Sequence, residues 1–412
     1  MGGGPVKSGY DFAIAGGGVV GTSIAFHLAE LSDASVALFD RGEVCGGGTG
    51  RSCAIIRSHY SVASNTQLTL RSLEVFRDFR EALGEEDVAS GFVNSGYLIL
   101  AGPGAVADRL ADNLARQREL GADTSPIDRA EARALHPWLD LEDVAAIGWE
   151  PTSGYADPVA TTLGYVAAAR RRGVAVSEHT PVERLCLAPD GGTSASRVTG
   201  VTTPGGTVEA RCVVSAVGPW TRGLYAESGL SEDAVEALRL QVSRHVVLTF
   251  GGASDYGPEL PIVKDLTVDN KMYFRPADGG VVLVGTGDFG DPLEDPDRMT
   301  ATAPRDLVSL QRTQIGARMP AFEGARLTDS WVGPYDITPD WNPVLGPAPG
   351  LPGLYLAYGF SGHGFKLAPA IGRCVAQSLL GETPDIDLAP YRPERFSEEA
   401  LLLGAYGGGS IS

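Results

Sequence analysis

The segment Gly16-Gly17-Gly18-Val19-Val20-Gly21 constrains this 412-residue chain more than any other feature. It matches G-x-G-x-x-G, follows the apolar run Tyr10 to Ala15 and opens a helical pattern from Val19 to Leu31. A second apolar run, Ser35 to Phe39, ends at Asp40. Strand, glycine turn, helix and strand in that order form the βαβ unit of a parallel sheet. In such a turn Gly16 permits the tight bend, Gly18 lets backbone approach a pyrophosphate, and Gly21 lets helix pack closely on strand. Free N–H groups at the helix start, with the helix dipole, stabilise phosphate charge. Asp40 stands where a carboxylate accepts hydrogen bonds from a ribose. These residues imply dinucleotide binding but do not by themselves separate FAD from NAD.

The chain is too long for one small core and suits two interleaved domains. Hydrophobic residues make up 43% of it, an ordinary share that excludes disordered and fibrous classes. Apolar runs such as Val281 to Val284 are strand-sized, far short of a membrane span. Met1 to Ser8 has no apolar stretch resembling a signal peptide and reads as a loose tail, as does Gly407 to Ser412. The expected location is therefore the cytoplasm. A net charge of −18 argues against nucleic acid and anionic membrane partners, which demand a basic patch. The run Arg170, Arg171, Arg172 reads as a solvated helix end. Five scattered cysteines (Cys45, Cys53, Cys186, Cys212 and Cys374) lack C-x-x-C spacing, which excludes a zinc module and disfavours a disulfide framework. His27 shares a helical stripe with Ile24 and Leu31, which points to packing and not to ligation.

Beyond Asp40, Cys45 to Arg51 is a glycine-rich loop and Gln67 to Leu83 has a helical period. Mixed strand and helix signals run from Phe92 to Ala146. Val159 to Arg172 reads as a helix, followed by strands at Val174 to Ser177 and Val182 to Leu187. Val198 to Thr203, the turn Pro204-Gly205-Gly206, Val208 to Arg211 and Cys212 to Val217 then resemble an antiparallel meander feeding back into the parallel sheet. A second mixed region spans Leu238 to Trp331, and Gly353 to Gly381 reads strand, glycine loop, helix.

Four further segments carry a family resemblance. Thr49-Gly50-Arg51-Ser52 with Ile55-Ile56-Arg57-Ser58-His59-Tyr60 resembles the loop after the second strand in the sarcosine oxidase and glycine oxidase group of D-amino-acid-oxidase-like flavoproteins. Val213-Val214-Ser215-Ala216-Val217-Gly218-Pro219-Trp220 resembles that group's strand entering a Gly-x-Trp turn. Trp331-Val332-Gly333-Pro334-Tyr335 with Thr338-Pro339-Asp340 resembles the segment before its C-terminal flavin loop. The loop itself is similar to Gly359-Phe360-Ser361-Gly362-His363-Gly364-Phe365-Lys366, the most specific of the four. The likeness runs from about Asp11 to Gly381 and looks nearest to sarcosine oxidase beta-subunit-like proteins.

The resemblance implies an α/β fold, with a Rossmann-type FAD-binding domain interleaved with a mixed α+β substrate domain built on an antiparallel sheet. The expected boundaries are 8–91, 151–237 and 332–400 for the FAD-binding domain and 92–150 and 238–331 for the substrate domain. FAD contacts are expected from Gly16, Gly18, Val19, Val20, Gly21, Asp40, Arg41, Gly48, Thr49, Arg51, Ser52, Val182, Ala216, Gly218, Trp220, Gly333, Gly362, His363, Gly364, Phe365 and Lys366. Glycines 359, 362 and 364 would let backbone approach a flat ring, and the helix after them would direct its positive end at the carbonyl where charge accumulates on reduction.

For chemistry the resemblance points to Lys366 and Arg57 gripping a substrate carboxylate, with Tyr335 lining the pocket and His363 touching flavin. His59 is a weaker candidate, for packing alone. The implied reaction is hydride transfer from a small N-methyl or primary amine or amino acid to flavin N5, giving an imine that hydrolyses. A 2-hydroxy-acid dehydrogenase and an FAD-binding subunit of a larger complex are the alternatives. No metal and no Ser/His/Asp triad are expected. Single-chain sarcosine oxidases attach FAD through a cysteine where this chain has Gly333, so non-covalent FAD is expected. Some relatives carry an oxygen-activating lysine on the strand matching Gly280 to Gly287. That stretch has none here, Lys264 and Lys271 coming earlier, so either oxygen or another acceptor could take the electrons.

Overall fold

The computed structural model describes residues 9–189, 196–252, 255–287, 290–293 and 295–405. The two stretches read as loose tails, 1–8 and 407–412, lie outside them, as does the first residue of the expected domain 8–91. The opening strand is Gly9–Ala15 and the helix after the glycine turn is Val19–Leu31, followed by the strand Val36–Phe39. All three are buried almost throughout, which is why they read as apolar runs and not as alternating patterns.

The first sheet has eight strands. Gly9–Ala15 pairs in parallel with Val36–Phe39 on one side and Gly206–Ser215 on the other. Leu354–Tyr358 continues the parallel set beyond Gly206–Ser215, and Ala175–Ser177 continues it beyond Val36–Phe39. Arg184–Pro189, Ser196–Thr203 and Gly206–Ser215 form the antiparallel meander. The runs read separately as Val208 to Arg211 and Cys212 to Val217 are one strand, whose first half pairs in the meander while its second half lies between Gly9–Ala15 and Leu354–Tyr358.

The second sheet has nine strands and carries Tyr97–Ala101, Ser125–Ile127 and Ala146–Glu150 together with Gln241–Gly251 and the strands that follow it. Its pairs are antiparallel except one, because Ile262–Asp265 runs parallel to Tyr97–Ala101. The long strand Arg326–Ile337 pairs along its whole length with Gln241–Gly251, so this sheet continues past Trp331 to Ile337. Tyr335 and Asp336 are therefore delivered on the second sheet, within the stretch expected to rejoin the first domain.

One local reading needs correction. The helical run Gln67 to Leu83 is two helices, Ala63–Arg77 and Phe79–Leu83, broken at Asp78, whose ψ of 44° is not helical. His27 packs against Phe26, as expected from its stripe, but its Nδ1 also meets Glu30 Oε2 at 2.7 Å. The arginines at 170–172 pair with Glu178 and Glu85. All five cysteines are free. Among the described residues no helix is long and apolar enough to cross a membrane.

Two contacts tie the far end of the chain to the site. The C-terminal helix Gly364–Leu380 crosses Val19–Leu31 so closely that a Cβ at Gly372 would lie 2.0 Å from Ser23 Oγ. Pro369 interrupts the hydrogen bonding of that helix, and Ser72 bridges the break by donating to Leu367 O and accepting from the Ala370 N–H at 3.2 Å. The segment after the helix folds back through Arg395, wholly buried, whose guanidinium spans both oxygens of Asp340 at 2.8 and 3.0 Å. Removing one partner strands the other charge away from water. Arg395→Ala should therefore cost about 3–5 kcal/mol of unfolding free energy in urea titrations; a loss below about 1 kcal/mol would show the pair to be dispensable.

Candidate active site

The two glycine segments meet across one elongated cavity of 1140 Å³, somewhat above the roughly 300–1,000 Å³ typical of small-molecule sites. Gly16, Gly18, Val19 and Val20 line one end with Asp40, Arg41 and Val182, while Gly333, Tyr335, Gly362, Gly364 and Phe365 line the other. Gly48, Thr49, Arg51, Ser52, Ala216, Gly218 and Trp220 form the walls between. Gly21 lines none of it. A Cβ there would fall 2.0 Å from Gly16 O, so Gly21 serves the helix–turn approach.

Asp40 braces the first turn from below. Its Oδ2 accepts the Gly17 N–H at 2.7 Å and its Oδ1 the Gly42 N–H at 2.8 Å. The Val19 N–H, at the helix start, donates to the Thr49 hydroxyl at 3.2 Å, which sets Thr49, the first residue of the short turn Thr49–Arg51, at the mouth of the helix. Gly16 has φ of 107°, and a Cβ on it would lie 2.3 Å from the backbone oxygen of Ala216. The turn is thus pressed against the strand end that carries Ala216 and Gly218.

At the other end the loop 359–363 turns through three left-handed residues, Gly359 (75°), Ser361 (51°) and Gly362 (81°), before the C-terminal helix begins at Gly364. A Cβ at Gly362 would meet the Tyr335 ring at 2.4 Å. No side chain caps this helix, so its first N–H groups are available to the cavity that Gly364 and Phe365 line. Tyr335 in turn stacks on His245, with ring centroids 3.7 Å apart and planes at 16°.

Arg57, His363 and Lys366 do not line the cavity; they stand behind its loop wall, 4%, 1% and 7% exposed. The Lys366 ammonium donates to Gly362 O at 3.4 Å, and Arg57 donates to the carbonyl of His59 while lying 4.4 Å over the Tyr60 ring. Tyr60 faces His363 at 5.2 Å between ring centroids. Burial holds Lys366 well below the usual ammonium range, reinforced by Arg57 and Lys264 and opposed by Cys53. His363 is likewise pushed well below its ordinary value by burial, then by Lys366, Arg57 and Lys264, so its ring is neutral.

The strand Val281–Gly285 is as the sequence reads it. No lysine lies on that strand, yet Lys264, 2% exposed, reaches the same electrostatic neighbourhood from Ile262–Asp265, two strands away in the sheet. Its Nζ donates to Lys271 O at 2.5 Å and lies 5.3 Å from the Tyr273 ring centroid. Tyr273 OH is 3.2 Å from Cys53 Sγ, which places a thiol beside the cations.

Other candidates sit as follows. His59 is wholly buried, with Nε2 3.2 Å from Asn113 Nδ2, beside Glu150, whose carboxyl accepts from Ser58 N and Ser153 Oγ at 3.0 and 2.6 Å. Burial pushes Glu150 up, against Ser153, Ser58 and Arg57. The Arg51 guanidinium is turned back onto Gly46 O and Gly47 O, both at 2.8 Å, and so braces its own loop. Arg41 makes a two-pronged pair with Asp297 at 2.9 and 2.6 Å, and Trp220 Nε1 donates to the same carboxylate at 3.0 Å. Asp297, Glu150, His245 and Asp336 were missed in the sequence, where Lys264 was noted only as preceding the matched strand. Only Asp336, next to the matched Tyr335, lay where a motif could have pointed to it.

A family model described as FAD dependent oxidoreductase matches residues 11–378. FAD-dependent oxidoreductase domain-containing protein 1 from Xenopus laevis is 29% identical over 422 residues, covering 95% of this chain and 84% of that protein. Mitochondrial dimethylglycine dehydrogenase from Rattus norvegicus is 25% identical over 97% of this chain, which spans only 47% of that larger protein. Among solved structures, L-proline dehydrogenase from P. horikoshii superposes with a TM-score of 0.85 at 27% identity, covering 96% of this chain and 100% of its own.

The tightness of the first turn is testable. Gly16→Ala drives a methyl into backbone that has no room to yield, so ligand affinity at the glycine turn should fall at least tenfold, about 1.4 kcal/mol. FAD titration followed by tryptophan fluorescence measures this, and an unchanged Kd would contradict the role given to the turn.

Proposed function

Because the chain belongs to the FAD dependent oxidoreductase family, an assignment its match over residues 11–378 makes plain, we propose that it oxidises a small amine or amino acid. The residues present fit FAD. A glycine turn and an uncapped helix start line opposite ends of one cavity, and Asp40 stands at the strand end beneath the turn. Gly333 replaces the position where a cysteine tether would be expected, and no cysteine lines the cavity among the described residues, which supports non-covalent binding.

The observation that carries the proposal is the buried pair Arg57 and Lys366 behind the loop 359–362. Arg57 and the Lys366 amine, which takes up a proton as an anion approaches, favour an anionic substrate, and a carboxylate gripped by both orients its neighbouring C–H toward the cavity. Bound FAD supplies a hydride acceptor. The substrate carbon loses hydride, the nitrogen loses its proton, and the resulting imine takes up water to give a carbonyl compound and an amine. The neutral His363 and the positive cluster disfavour a protonated amine, so substrate is held with nitrogen uncharged. Tyr335, fixed by Gly362 and the His245 ring, walls the pocket. The named relatives acting on dimethylglycine and L-proline support a carbon–nitrogen bond as the target over a 2-hydroxy acid. Lys264 supplies positive charge near the loop, so its field is present for an oxygen acceptor even with no lysine on Val281–Gly285.

Anaerobic reduction of the FAD-loaded protein tests the reading. N-methyl or cyclic amino acids should bleach the flavin, whereas 2-hydroxy acids should not, and bleaching by hydroxy acids alone would overturn it. Lys366→Met should raise the substrate concentration for half-maximal bleaching at least tenfold with FAD retained; joint loss of FAD would reassign the residue to the cofactor. Asp40→Ala should chiefly weaken FAD itself.

A further inference from the structure

Resting on the FAD reading above, we infer that Asp336 is a positioning residue that holds the loop 359–361 in place and lowers the reduction potential of the flavin beside it. Asp336 occupies the penultimate position of Arg326–Ile337, paired with Val242, and forms part of the cavity wall while only 8% exposed. Its Oδ2 accepts the Gly359 N–H at 2.7 Å, and its own carbonyl accepts the Ser361 N–H at 3.0 Å. Ser361 Oγ closes the stitch, donating to Gly359 O at 3.1 Å and accepting from the Thr338 N–H at 3.3 Å.

The left-handed residues Gly359 and Ser361 explain why a carboxylate belongs there. Left-handed turns fold successive amides toward a common concavity, which attracts an anion. Here the chain provides that anion from the neighbouring sheet. The tether fixes where the loop ends, and hence where Gly362 meets Tyr335 and where the uncapped helix start at Gly364 faces the cavity.

Burial pushes the Asp336 carboxyl up to about 6, against the amides of Phe360, Gly359, Asp336 itself and Ser361, which pull the other way. At neutral pH it remains an anion in the cavity wall. A negative charge there opposes the negative charge that reduction places on a flavin. A mere loop staple would have no such effect.

Asp336→Asn and Asp336→Glu, each loaded with FAD, separate the two contributions. FAD dissociation constants are read by fluorescence, and midpoint potentials by equilibration with a redox dye. Asp336→Asn should weaken FAD binding at least tenfold and raise the reduced-to-oxidised ratio at fixed dye poise about tenfold, or about 30 mV for a two-electron couple. Asp336→Glu, which keeps the charge, should stay within about threefold of the parent ratio by the same relation. Equal shifts in both variants, or unchanged values in Asp336→Asn, would overturn the inference. Should Asp336→Asn fold but retain no FAD, recovery of binding in Asp336→Glu supports it and failure there overturns it. A parent protein that takes up no FAD would defeat the FAD reading instead.

Discussion

The site depends on how closely two helices approach. Val19–Leu31 and Gly364–Leu380 come from opposite ends of the chain, and their contact leaves no room for a Cβ at Gly372 beside Ser23. That closeness brings two helix starts to the same cavity, one after the turn at Gly16 to Gly18 and one after the loop 359–363. Each start carries amides that no helical carbonyl can satisfy, and each is preceded by glycines that keep side chains out of the way. A bulkier residue at Gly372 would separate the two ends of the cavity without touching either. The rest of the fold serves this geometry, with the parallel strands setting the first turn and Ser72 repairing the helix where Pro369 breaks it.

Charge is arranged with the same economy. The second sheet delivers Lys264 and Asp336 to the loop region, the C-terminal helix delivers Lys366, and Arg57 follows the short strand Ile55–Ile56, so the cluster is assembled from separate elements. Burial and mutual repulsion hold Lys366 and His363 below their usual ranges. These are groups whose ionisation responds to an incoming anion, which is the property a substrate carboxylate would exploit.

Much of this was legible in the sequence, and the parts that were not share a physical cause. The helix Val19–Leu31 could be read to the residue because glycines mark its start and an unbroken apolar pattern its body. The meander and the closing strand–loop–helix were legible for the same reason, with Gly and Pro punctuating each turn. Asp78 was missed as a break because it is neither Gly nor Pro. The nearness of Lys264 to Lys366 and His363 was not legible because sheet adjacency, unlike helical spacing, is set by partners far away in sequence. Its strand pairs with Tyr97–Ala101 on one side and Tyr273–Ala277 on the other, and no local pattern announces either. The continuation of the second sheet to Ile337 escaped notice because Tyr335 was assigned by its likeness to a flavin-loop segment, whereas its backbone pairs with Ser243. Arg51 and Arg41 line the cavity, and the partners their guanidiniums find within the protein, Gly46 O, Gly47 O and Asp297, were not legible because Asp297 lies far along the chain.

The lining and the family match point to one cavity, bounded by two glycine segments, that holds FAD without a covalent bond. Absorbance of the purified protein after incubation with excess FAD and gel filtration tests it most directly, followed by acid precipitation. A yellow protein carrying one FAD per chain is expected, with all the flavin released to the supernatant by acid. A folded protein that emerges colourless, or a flavin that stays with the precipitate, would contradict it.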